Sequence, residues 1–140
     1  MVAKNRQPSF EVNWIEDWES KIEQIARDTS ALDMRLISGI PPWCINYFET
    51  LLRLSSKKHL LELFPNLSVF AYGGVQYAPY KASVDRLIGA EIQGMETYPA
   101  SEGFIAFQNS QKEEGLILNT NAGIFFEFIP TDEYFNDNPK

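Results

Sequence analysis

The segment Leu67–Tyr72 (LSVFAY) is apolar throughout except for Ser68, and it runs directly into Gly73-Gly74. Apolar residues that fail to alternate mark a strand buried on both faces, as in a parallel sheet covered by helices. Its neighbours fit that context. Upstream, a strand at Met34–Ser38 ends at Gly39, and Pro41-Pro42 opens a helix carrying Trp43, Tyr47, Phe48, Leu51 and Leu52. Proline in a first turn gives up no helical hydrogen bond. A helix over Ser56–Leu63, with Leu60, Leu61 and Phe64 on one side, leads through Pro65-Asn66 into the apolar strand. Downstream, a helix runs from Pro79 to Ile88 and a strand from Ile92 to Tyr98. A first helix spans about Trp14–Asp28, with Trp14, Trp18, Ile22 and Ile25 on one face and Glu16, Glu19, Lys21 and Glu23 on the other. Strands alternating with helices predict an α/β architecture.

The last third changes character. Gly103–Gln108, Leu116–Asn119 and Ile124–Ile129 read as three strands joined by the polar links Asn109–Gly115 and Asn121-Ala122-Gly123. The expected fold is therefore α/β: an open mixed sheet with parallel strands and flanking helices, ending in an antiparallel β-meander. Residues 14–130 form the structured unit, preceded by a polar arm, 1–13, and followed by a loose acidic tail, 131–140. Such a sheet, with unfilled edges, implies that partner segments are missing.

Composition narrows the function classes. A chain of 140 residues can bury roughly 70% of its unfolded surface, so a core is available. The aromatic content of 14% excludes disorder through low hydrophobicity. No apolar run is long enough for a bilayer, and MVAKNRQPSF has no secretory apolar region, so a cytoplasmic chain without a membrane partner is expected. Cys44 and His59 are the single cysteine and histidine, which excludes an intrachain disulfide and a thiolate or imidazole metal cluster within the chain. The net charge is −7, the 12 Lys and Arg are scattered, and the doublet Lys57-Lys58 lies in an expected amphipathic helix. Nucleic-acid binding is not expected, because it depends on neutralising phosphates.

In open α/β sheets, ligands bind beyond the carboxyl ends of the strands. Two strand ends carry suitable residues. Gly73-Gly74 allows backbone amides to approach a ligand, or simply positive φ in a tight turn; no P-loop pattern occurs in the chain. Tyr98–Gly103 offers a ring, the Ser101 hydroxyl and the Glu102 carboxylate. A hydroxyl beside a hard oxygen ligand suits phosphate and Mg²⁺. Taken by themselves, these residues read first as a solvent-exposed turn with a buried tyrosine. Ser101 is not in a nucleophile elbow, and His59 in a helical stretch reads as a surface or packing residue. A helix dipole could lower the Cys44 pKa, but no partner base can be named, so a small buried hydrophobe is the better reading. Glu127 reads either as a buried paired carboxylate or as part of a solvated strand face, the commoner case.

Four strings occur in order: GIPPW at Gly39–Trp43, FPNLSVFAYGG at Phe64–Gly74, YPASEG at Tyr98–Gly103 and NAGIFFEFIP at Asn121–Pro130. Together they resemble the Gretchen Hagen three (auxin-responsive) family of acyl acid–amido synthetases, within the adenylate-forming superfamily. The most specific match is the family's Y-x-x-S-E pattern, met by Tyr98, Ser101 and Glu102. The resemblance implies part of an adenylate-forming N-terminal domain. It implies a ligase that uses ATP to adenylate a small carboxylic acid and then transfers the acyl group to an amino acid, releasing AMP. On this reading Tyr98 packs beside adenine, Ser101 contacts the α-phosphate, Glu102 holds Mg²⁺, and Gly73-Gly74-Val75 lines the adenine side through its backbone. Phe104 borders the acyl pocket.

Some of the family's parts are absent from this sequence: the Ser/Thr/Gly-rich phosphate loop, the Y-R-x-G-D type motif and the C-terminal lid domain. The resemblance therefore implies a central fragment with about half of a nucleotide site, inactive alone. Its expected partners are the missing domain segments of a parent chain, and its uncovered apolar surface predicts self-association. The alternatives are a non-catalytic nucleotide or small-acid binding module and an interaction domain.

Overall fold

The computed structural model describes residues 6–112 and 115–136, and among these residues there are five strands and three α-helices. The first five residues of the expected arm, residues 113–114 of the link Asn109–Gly115 and the last four of the expected tail lie outside the described residues. Part of the arm is ordered: residues 10–13, with Trp14, form a 3-10 turn that buries Val12.

Helix α1 (Trp18–Thr29) begins at Asp17, whose carboxylate accepts the Ser20 N–H at 2.8 Å. That cap satisfies a donor left free at every helix start, so the helix starts four residues after Trp14. Its inner face buries Ile22, Ala26 and Thr29. Strand β1 (Leu36–Gly39) leads into α2 (Pro41–Ser55), which opens on the two prolines as expected. It buries Cys44, Tyr47, Phe48, Leu51 and Leu52 in one stripe. Between α1 and α2, the Thr29 and Tyr47 hydroxyls lie 2.7 Å apart, and Thr29 also donates to the Ile25 carbonyl at 2.7 Å. Every polar hydrogen of this buried pair therefore has a partner.

The expected helix over Ser56–Leu63 does not form. Ser56 takes a left-handed conformation (φ 55°), the Lys57 N–H closes back on the Leu52 carbonyl, and only Leu60–Glu62 coil, as one 3-10 turn. A left-handed residue that returns its amides to the last carbonyls terminates a helix. Lys57-Lys58 thus sits in a link, and exposed His59 begins the 3-10 turn with Nδ1 3.1 Å from the Arg86 carbonyl.

Strand β2 (Val69–Gly73) is followed by α3 (Ala78–Ile88), β3 (Gln93–Ala100), β4 (Gly103–Phe107) and β5 (Ile117–Leu118). The sheet order is β1-β2-β3-β4-β5, parallel across the first three strands and antiparallel across the last two pairs. The open mixed α/β sheet is as expected, but its meander is shorter. Residues 124–129 form no strand: Phe125, Phe128 and Ile129 are exposed, as is Glu127. β5 has two residues and offers almost no ladder for a further strand.

The core lies on one side of the sheet. Ile37, Phe70 and Tyr72 join the buried residues of all three helices, with Phe48 and Phe70 ring to ring at 5.9 Å. Strand register and the two-residue pleat place three rows on the opposite face. Leu36, Val69 and Gln93 form the first; Ser38, Ala71 and Met95 the second; Gly73, Thr97, Phe107 and Ile117 the third. None of these joins the helical core. The expectation of a strand buried on both faces is corrected: Phe70 and Tyr72 are buried, whereas Val69 and Ala71 are half-buried on a face that, among the described residues, no helix covers. Consecutive strands in the order 1-2-3 put both crossovers on one side, given their common hand.

Candidate functional site

The β2–β3 register brings the two candidate strand ends together. Gly73 pairs with Thr97, so Gly74 and Tyr98 leave the parallel ladder side by side. The pairing is close: a Cβ on Gly73 would collide with the Thr97 carbonyl oxygen, and the Thr97 hydroxyl donates to the Tyr72 carbonyl at 3.0 Å. Gly74 then turns with φ +81°, a conformation that costs glycine little. Of the two readings of the Gly-Gly pair, Gly74 shows the positive φ, while Gly73 lies close against the neighbouring strand. Val75 is exposed beside it.

The second segment is not a parallel-strand loop. β3 runs on past Tyr98 to Ala100 and returns as β4 from Gly103, so Ser101 and Glu102 form the tip of a hairpin. At about 3.3 Å per residue, the tip stands about 10 Å beyond Tyr98, on the scale of a nucleotide. Both tip residues are exposed, and among the described residues neither side chain is engaged in a hydrogen bond or ion pair. The turn is exposed as expected, but its tyrosine is not buried: Tyr98 is 53% exposed. A register shift between Tyr98 and Pro99 puts Phe104 opposite Pro99. Phe104 stacks on Phe107 at 6.0 Å on the helix-free face, whereas pairing with Ala106 keeps Tyr98 on the helical side.

No family model matches the chain, and no curated protein matches it.

Three residues beside this ledge were given no role from the sequence, although Tyr72 and Tyr77 bound the strand end Tyr72–Tyr77. Tyr72 and Tyr77 stack at 3.8 Å across the Gly73-Gly74 turn. Burial, then the Asp85 charge, pushes Tyr77 up to about 12, and burial, then the Glu96 carboxylate, raises Tyr72. Both phenols therefore stay neutral donors at ordinary pH. Their spacing around a Gly-Gly turn was the available signal. Thr97, directly before Tyr98, carried none, because its role depends on which strand lies alongside.

The donor set admits Mg²⁺ only in one way. Among the described residues, no three His, Cys, Asp or Glu gather to hold a metal. Glu102 supplies one exposed carboxylate, which suits an ion whose other ligands are water and phosphate oxygens. Cys44 is no nucleophile: burial pushes its thiol up to about 12, the reverse of a dipole-activated cysteine. A shallow groove of about 470 Å³ between α1 and α2 includes Trp18, Glu23 and Arg53 and lies apart from the ledge. Among the described residues, no helix is long and apolar enough to cross a membrane.

Proposed function

We propose that this chain forms the central part of an ATP-dependent acyl acid–amido synthetase of the adenylate-forming type, built around the ledge at the ends of β2 and β3. The reading rests on one observation: two motifs separated in sequence, Gly73-Gly74-Val75 and Tyr98–Glu102, meet through the Gly73–Thr97 pairing. It draws further support from the resemblance of four ordered strings to that family. In the proposed reaction a carboxylate oxygen of the acid attacks the α-phosphorus of ATP and pyrophosphate leaves. The amine of an amino acid then displaces AMP and forms the amide.

The roles follow from placement. The exposed Tyr98 ring packs beside adenine, with the backbone of Gly73, Gly74 and Val75 along its edge. Ser101 donates to the α-phosphate, and Glu102 holds Mg²⁺. Bound there, Mg²⁺ supplies charge stabilisation at the leaving pyrophosphate. Phe104 borders the acyl pocket. The phosphate loop and ribose carboxylate of the resembled family have no counterpart in this sequence, and the chain is proposed to be inactive alone. Each missing charge-assisted contact removes on the order of 1.5–3 kcal/mol, so MgATP binding is weakened by several decades.

An NMR titration of the chain with MgATP tests this reading. The expected result is weak binding, with amide shifts clustered at Gly73, Gly74, Ser101 and Glu102, and loss of the Mg²⁺ dependence in Glu102→Gln. Shifts confined to the α1–α2 groove, or none at the ledge, would overturn it. Micromolar affinity would favour a self-sufficient binding module instead.

A further inference from the structure

We propose that the groove between α1 and α2 holds an arginine-bearing peptide segment of a partner protein, its guanidinium groups set on the Trp18–Trp43 ring pair and against the carboxylates of Glu19 and Glu49. This inference is independent of the nucleotide ledge, from which the groove lies apart.

Three observations carry it. First, the groove is open and elongated. It encloses about 470 Å³ and follows α2 from Asn46 to Arg53, about 10 Å of helix. That length takes about three residues of extended chain; a lone ammonium or guanidinium leaves most of it empty. Second, the groove begins at two aromatic faces. The Trp18 and Trp43 rings lie 5.8 Å apart and are 42% and 56% exposed. Helical spacing puts Trp43 on the same stripe of α2 as Asn46, Thr50 and Arg53. Tryptophan is enriched among the residues that dominate binding surfaces, and its open face attracts a cation, arginine more often than lysine. Third, the lining is acidic: Glu19, Glu23 and Glu49 stand against Arg53 alone. Glu23 is occupied, by Arg53 at 2.8 Å and by Arg27 at 3.6 Å. Glu19 and Glu49 are exposed, and among the described residues neither side chain has a hydrogen bond or ion pair. The groove thus seats one guanidinium of its own and leaves two carboxylates open near two ring faces.

Charge complementarity selects the occupant. The carboxylates repel a phosphate backbone or an acidic segment, and the net charge of −7 adds to that field. A wholly apolar helix laid in the groove would strip water from Glu19 and Glu49 without giving them partners. A lysine satisfies a carboxylate, but its ammonium is compact and strongly hydrated. The planar guanidinium of arginine stacks on a ring and presents a fork of donors to a carboxylate, so it meets both features of the groove.

An NMR titration of the chain at low salt with the probe peptide acetyl-Gly-Arg-Gly-Arg-Gly-amide tests the proposal. The indole N–H signals of Trp18 and Trp43 should shift and saturate, while that of Trp14, 75% exposed outside the groove, should not. The double variant Glu19→Gln/Glu49→Gln should weaken binding on the order of 10-fold, because each exposed pair is worth at most about 5-fold. Trp43→Ser should weaken it about 3-fold. All three substituted side chains are exposed, so the fold should persist, and the dispersion of the amide spectrum checks that it does. The variant Glu91→Gln/Glu127→Gln makes the same change in net charge outside α1 and α2 and should bind as the wild type does. Equal shifts at all three indoles, or none, would overturn the proposal. So would equal weakening in the two double variants, or none in Glu19→Gln/Glu49→Gln. A probe with lysine or glutamate in place of arginine that binds at least as tightly would also overturn it. N-acetyl-arginine amide binding as tightly as the peptide would make the groove a small-cation site and overturn the peptide reading.

Discussion

Glu102 and Tyr47 mark opposite environments for a titratable side chain. Glu102 stands exposed at a hairpin tip, so its removal should leave the fold intact and, on the proposed function, act on chemistry alone. In a longer chain carrying the remaining ATP-site motifs, Glu102→Gln should slow acyl-adenylate formation by ~10²-fold or more, as loss of a metal ligand would. Transfer from pre-made acyl-adenylate should suffer less, because pyrophosphate has already left. Separate assays of pyrophosphate release and amide formation, across a Mg²⁺ titration, check this. Tyr47 is buried against Thr29, and burial pushes its phenol up to about 12. The folded state therefore binds this proton more tightly than the unfolded chain, whose phenol titrates near 10. The stabilisation is complete below about pH 10 and is lost as pH rises towards the folded value. By linkage, the loss from Tyr47 is on the order of 2 kcal/mol. Urea titrations across this alkaline range should show a shallower decline for Tyr47→Phe.

Helix ends and strand partners decided which expected elements formed. Apolar spacing suited a helix beginning at Trp14 as well as one beginning at Trp18; the Asp17 cap chose the second. Leu60, Leu61 and Phe64 kept their apolar pattern, and Leu60 and Phe64 are fully buried, but Ser56, where the expected helix would begin, is the left-handed cap that ends α2, and only Leu60–Glu62 coil beyond it. A serine there bears a steric cost that glycine avoids. Ser56→Gly should raise stability by about 1 kcal/mol, read as a higher urea midpoint at unchanged slope. Residues 124–129 carry strand-forming side chains, yet a strand exists only where a neighbour completes its hydrogen bonds. Beyond the two-residue β5 there is too little edge to pair with.

Across the whole molecule, one core joins three helices to one sheet face, and Phe48 sits at its centre with no exposure, against Phe70. Phe48→Ala should cost about 3–5 kcal/mol, a large share of the 5–15 kcal/mol typical of a domain, measured as the shift in chemical unfolding. The candidate site follows the same division between local and non-local control. Gly73-Gly74 and Tyr98–Glu102 were legible as separate strand-end features, because each is a short string with its own chemistry. Their adjacency came from the β2–β3 register, and Thr97 gained its role from that pairing alone.

The sequence by itself determined the order of the strands and helices that form, though not the loss of the helix expected over Ser56–Leu63 or of the strand over Ile124–Ile129, together with the proline-opened start of α2 and the apolar stripes. These depend on residues a few positions apart, whose periodicity and capping are local. The tertiary structure alone decided that β3 and β4 close as a hairpin with Glu102 at its tip, and that Tyr98 stands exposed. It also decided that, among the described residues, one face of the sheet is free of helices. Register and layer coverage depend on contacts between distant segments, and an apolar strand such as Val69–Gly73 carries the same pattern whether one face is covered or both.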